Sequence, residues 1–199
     1  MILLLCFISC KAQTITIPID DRGSSDTAVG TYYKDFNNLL NPFEGTWLYT
    51  NGTTSLLIKL RKIIKNNNTL MYQDLLVGEY QYIENGVEKI NTLNSFNENY
   101  VEQQNHSISG NFIKTKYEIP PCNDCSINEK RVLLMIGDPV LDVAADMVIR
   151  KIVVNGQEAL SIYMRTDGIK YTGDSPDTFN SEFVGSTMPN GNYVLIKQP

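Results

Sequence analysis

Along most of the chain hydrophobic and polar residues alternate with a period of two, the spacing of a strand with one face turned to a core. In residues 54–63, Leu56, Ile58 and Leu60 share one face while Lys59 and Arg61 share the other. In residues 69–83, Leu76, Gly78, Tyr80 and Tyr82 oppose Val77, Glu79 and Gln81, and in residues 157–165 Leu160, Ile162 and Met164 form the apolar set. A glycine inside such a run, as at Gly78, marks a bend or a close approach of another backbone. The runs are broken at Asn51-Gly52, Asn85-Gly86 and Asn155-Gly156, dipeptides suited to tight hairpin turns. Residues 94–104 are polar with neither period, a loop or a short helical turn. About eight to ten strands joined by tight turns, with no long helical pattern, predict an all-β antiparallel meander. Closure into an up-and-down β-barrel would remove its exposed edges; a half-open β-roll or sandwich is the alternative.

The longest strand-like stretch opens on Asn41-Pro42-Phe43-Glu44-Gly45-Thr46-Trp47, which holds the only tryptophan. Gly45 would let the backbone pass close to another element, and an indole burying about 150–250 Å² suits a core that closes one end of a sheet. Phe43-Glu44-Gly45-Thr46-Trp47 resembles the glycine-x-tryptophan signature of lipocalins and their calycin relatives. That resemblance implies a 3₁₀ turn just ahead of the motif, for which residues 35–40 are available. It also implies a basic residue of the last strand over the indole, here Lys197. Pro42 stands where the family motif has a polar residue, and the family's second motif is met only by Thr166-Asp167.

Met1 to Cys10 is apolar but shorter than the roughly 20 residues that span a bilayer. It resembles the end of a secretory signal with a lipoprotein cleavage box, Ile8-Ser9-Cys10, which makes Cys10 the acylated first residue of the mature protein. The leader and the chain after it are similar to secreted bacterial lipoproteins of this size. Lys11 after the cysteine fits the outer membrane of a Gram-negative bacterium. Several acyl chains, each buried CH₂ contributing about 0.8 kcal/mol, would anchor stably. Residues 11–34, polar and glycine-containing around Asp20-Asp21-Arg22-Gly23, read as a flexible tether spanning about 25–30 Å. Thr14 to Ile19 alternates like a strand, which Pro18 limits to an edge. Residues 35–199 then form a single barrel domain.

Charge and chemistry narrow the function. A net charge of −5 argues against nucleic acid. Leu60-Arg61-Lys62 and Lys114 with Lys116 read as solvated strand faces. Cys122 and Cys125, in an exported protein and without a βαβ setting, read as a local disulfide rather than a redox or zinc pair. His106, the only histidine, reads as a surface residue. Asp74, Glu79, Asp142 and Asp146 are the carboxylates a hydrolase would draw on, and no serine lies in a nucleophile elbow. The expectation is a monomeric, non-enzymatic protein without cofactor or metal, attached to the membrane through Cys10.

What the barrel would do divides into two readings. In the first, Leu56, Ile58, Leu60, Tyr80, Tyr82, Leu160, Ile162 and Met164 line a site for a small apolar or amphipathic ligand. In the second, the same residues make a packed core, and the protein is a structural or interaction lipoprotein of the envelope. A cavity below about 300 Å³ favours the second, as does an exposed apolar or aromatic patch. An inhibitor acting through the loop at residues 172–190 is a third reading.

Overall fold

A computed structural model describes residues 14–22, 28–172 and 180–199. The leader, with Cys6 and Cys10, lies outside the described residues. Two short strands and one helical turn precede the body: β1 (Thr16–Pro18), β2 (Tyr32–Lys34) and a 3₁₀ turn at Asn41–Phe43. Then come β3 (Gly45–Asn51), β4 (Thr54–Asn67), β5 (Tyr72–Glu84), β6 (Val87–Asn91), β7 (Ile108–Lys114), β8 (Arg131–Asp138), β9 (Val143–Val154), β10 (Gln157–Arg165), β11 (Ile169–Thr172), β12 (Asn180–Phe183) and β13 (Gly191–Gln198).

Eight of these, β3, β4, β5, β7, β8, β9, β10 and β13, form an antiparallel ring in chain order. It closes where Leu76, Val77 and Gly78 of β5 meet Gly110, Ser109 and Ile108 of β7, and where β13 returns to β3. The barrel is therefore up-and-down and complete, which decides against a half-open roll or sandwich. β6 extends β5 as a side ribbon, and β11 with β12 makes a separate two-stranded ribbon.

The turns match the dipeptides read from the sequence, with one shift. Asn85-Gly86 and Asn155-Gly156 both have positive φ at the two central positions, the geometry that matches strand twist. In the first hairpin Asn51 instead pairs with Thr54, so the turn is Gly52-Thr53. Gly78 is a site of close approach. A Cβ there would lie 2.2 Å from the Lys59 carbonyl oxygen of the neighbouring strand. Residues 92–107 cross the outer wall as a strap with two 3₁₀ turns, Leu93–Ser95 and Gln103–Asn105.

The expected tether is corrected over its described residues. β1 pairs in parallel with β2, and β2 with the start of β5, so Thr16–Pro18 and Tyr32–Lys34 are built into the sheet. Ile19 and Tyr33 join the barrel's hydrophobic cluster, which also takes in Leu40 and Phe43. Polar bonds hold the segment as well. The Tyr32 hydroxyl donates to Asp74 at 2.5 Å, and the Asp35 backbone N–H donates to the same carboxylate at 2.9 Å. Composition pointed to a linker because its apolar residues are few, but Ile19, Tyr32 and Tyr33 are buried, while Ile15 and Val29 stay exposed. The edge position forced on β1 by Pro18 holds: it pairs with β2 alone.

Candidate functional site

The eight residues expected to line a ligand site do converge inside the barrel. Leu56 faces Tyr82 and Ile58 faces Tyr80 across one ladder, while Leu160 and Ile162 face Leu195 and Tyr193 across another. All eight are at most 2% exposed and belong to one hydrophobic cluster. The cavity between Tyr80, Ile136, Met164 and Met188 has a volume of about 10 Å³, at the lower limit for a single water. Interior hydroxyls are satisfied rather than waiting for a ligand. Tyr80 donates to the Gly137 carbonyl at 2.7 Å and Tyr193 to that of Pro189 at 2.5 Å. Burial, aided by the charge and hydrogen bond of Glu84, pushes the Tyr82 phenol up to about 12. Burial likewise raises Tyr80, with help from Asp138 and Glu79.

Gly45, Trp47 and Lys197 close one end. Trp47 is wholly buried and its indole N–H donates to the Phe43 carbonyl at 2.9 Å. That carbonyl is aimed by the 3₁₀ turn at Asn41–Phe43, a few residues later than expected. Pro42 suits the start of this turn, because its fixed φ is pre-set for it. A Cβ on Gly45 would meet only ordinary contacts, so its φ of +130° rather than close approach requires glycine. Lys197 sits opposite Trp47 in register, its Nζ 5.5 Å from the ring centroid, and Lys151 reaches the ring at 4.6 Å. Both lysines donate to Glu158, at 2.6 and 2.9 Å, and those bonds hold its carboxyl down at about 2.

The buried polar groups on the outer wall are structural. His106, expected on the surface, is enclosed under the strap. Its Nδ1 lies 2.8 Å from Glu79 and its Nε2 3.1 Å from Arg61. Arginine can only donate, so Nε2 accepts and Nδ1 carries the proton given to Glu79. Arg61 also donates to the Phe96 and Glu98 carbonyls, latching the strap to β4. Lys62 is no solvated residue either: its side chain is 9% exposed and pairs with Asp35 at 2.7 Å. A lone histidine and a basic dipeptide carry no sequence signal for such partners. Of the carboxylates considered for hydrolysis, Asp74 and Glu79 are thus committed to holding the N-terminal segment and the strap.

An accessible recess lies outside the barrel. Cys122 and Cys125 form the expected disulfide, in a loop that stands over the outer face of β9 and β10. Two arginines pin that loop. Arg131 donates to the carbonyls of Thr115, Glu118 and Pro120 at 2.5–2.8 Å. Arg150 pairs with Glu129 and, at 2.6 Å, with Asp124. Those bonds raise the Arg150 guanidinium and hold Asp124 below the usual carboxylate range, while burial lowers Arg131. Between loop and sheet is an open cleft of about 440 Å³, floored by Val148, Ser161, Tyr163 and Asn192. A second outer groove of about 230 Å³ runs beside β7 and is more apolar, with Leu75, Phe112, Leu133 and Met135 in its wall. Neither recess has a signal in the sequence, because the segments that wall each one are far apart in the chain.

Fold and site together define a closed antiparallel barrel whose inward side chains join one hydrophobic cluster, with recesses on the outer wall. The chain belongs to a family of unknown function (DUF6705), whose model matches residues 1–198. No curated protein and no solved structure matches it.

Proposed function

We propose that this protein is a non-enzymatic interaction lipoprotein of the cell envelope, which keeps its barrel interior for packing and binds through its outer wall. The packing of the eight inward residues carries this reading. A ligand of even modest size needs a recess of about 300 Å³ or more, and the space beside Tyr80 and Met164 is about 10 Å³. The exposed apolar surface of Phe112 and Met135, each more than half exposed, also favours outer-wall contacts.

Attachment through acylated Cys10 at the outer membrane belongs to the same reading and rests on Ile8-Ser9-Cys10. Because the first paired strand starts at Thr16, six Cα steps separate it from Cys10. Fully extended, these span about 20 Å, so the barrel would ride close to the bilayer rather than at the end of a long tether.

Native mass spectrometry of the protein purified from its own membranes tests the interior. The expected species is a monomer carrying only its acyl mass, and a retained apolar small molecule overturns the proposal. Incorporation of a fatty-acid probe, sensitive to globomycin and lost in Cys10→Ala, tests the anchor.

A further inference from the structure

The cleft beside the disulfide loop holds more polar chemistry than its own packing uses. Ser161 and Tyr163 project outward from β10, between the inward Leu160, Ile162 and Met164. Tyr163 lies opposite Asn192 on one side and Val148 on the other, and Ser161 lies opposite Arg150. Among the described residues, none of the side chains of Ser161, Tyr163 and Asn192 has a hydrogen-bond partner. By contrast the charged groups are mostly engaged, with only the enclosed Arg131 Nε left without a partner. Arg150 is neutralised by Glu129 and Asp124, and Arg131 is turned into three loop carbonyls.

What remains is a hydroxyl, a carboxamide and the Tyr163 phenol, each able to donate and accept, the phenol carried on a half-buried ring. Arg150 is paired with both carboxylates and Arg131, only 4% exposed, faces the loop carbonyls, so neither guanidinium is presented to an ionic ligand in the cleft. Strands β9, β10 and β13 are each paired on both sides, so no edge is open to an added peptide strand. A sugar ring fits this set: its rim hydroxyls both donate and accept, and its C–H face can lie against an aromatic ring. The wall opposite is held in place by the disulfide and by Arg131, so little ordering has to accompany binding. We propose that this cleft is a binding site for a neutral oligosaccharide. The proposal rests on the outer-wall reading above and names its ligand class.

The test applies detergent-solubilised full-length protein to a printed array of neutral and acidic oligosaccharides and of peptides. The best ligand is then titrated against wild type and variants. Binding of a neutral oligosaccharide is expected, weakened about tenfold or more in Tyr163→Ala, which removes both a ring contact and a hydroxyl. Tyr163→Phe should lose less, Asn192→Ala an intermediate amount, and Phe112→Ser, in the other groove, nothing. Thermal melts matching wild type show that the cleft variants are folded. The proposal is overturned if folded wild type binds no neutral oligosaccharide, if it prefers acidic glycans or peptides, or if Tyr163→Ala binds as well as wild type. A failed array with an empty interior by mass spectrometry sinks only the sugar. A small molecule held inside the barrel sinks the reading beneath it.

Discussion

The barrel interior and the outer cleft are built from the same two strands, one residue out of step. Ile149, Ile162 and Met164 of β9 and β10 point inward and are buried in the main cluster, whereas Arg150, Ser161 and Tyr163 point outward. Inside, the phenols of Tyr80 and Tyr193 reach carbonyls, and the space beside Tyr80 and Met164 is about 10 Å³. Outside, three polar side chains face an open recess without partners. An unsatisfied polar group in a dry core costs about 1–3 kcal/mol, while the same group facing water costs nothing. A sheet therefore leaves unpaired chemistry most cheaply on its wet side, and in this barrel that is where a ligand would meet it.

That comparison can be broken most sharply at the core. Trp47→Ala or Leu160→Ala should lower unfolding free energy by about 3–5 kcal/mol, whereas Tyr163→Ala in the cleft should change it by about 0.5 kcal/mol or less. Urea denaturation of the three variants reads the contrast directly, and a mild Leu160→Ala would point to an unfilled interior. His106→Ala comes next. It leaves Glu79, only 1% exposed, without its main partner, and a loss of about 1–3 kcal/mol is expected. Faster hydrogen exchange across residues 92–107 should accompany it, which a surface histidine would not produce.

Gly78→Ala should cost about 1–3 kcal/mol, because the added methyl meets the Lys59 backbone and one of the two strands must shift. Removing the disulfide as Cys122→Ser with Cys125→Ser should cost about 2 kcal/mol or less, since the closed loop is very short. Its clearer effect should be on the cleft, whose wall it stiffens.

The smallest effect expected is on pH dependence at the tryptophan end. Glu158 is held near 2, below its ordinary 4.5, by bonds from Lys197 and Lys151. A depressed carboxylate adds stability above its unfolded pKa and loses it as pH falls through the folded one. Wild type should thus lose slightly more stability than Glu158→Gln between about pH 4.5 and 2, and the difference stays small because the pair is exposed to solvent.

Much of the fold was legible because the barrel is made of local devices. Period-two alternation placed Leu56, Ile58, Leu60, Tyr80, Tyr82, Leu160, Ile162 and Met164 on the inner face, and two Asn-Gly dipeptides set their hairpins. The Gly45–Trp47 step and the reach of Lys197 were carried by a short motif, and the spacing of Cys122 and Cys125 suited a local bridge. Other facts depended on contacts far apart in the chain. The burial of His106 and Lys62, the docking of β2, the closure of β5 on β7 and the cleft floored by β10 and β13 are of this kind. Alternation along a strand tells which way a side chain points but not what stands opposite it. Whether an inward face encloses space, and whether an outward one is covered or left open, is decided only when distant segments meet.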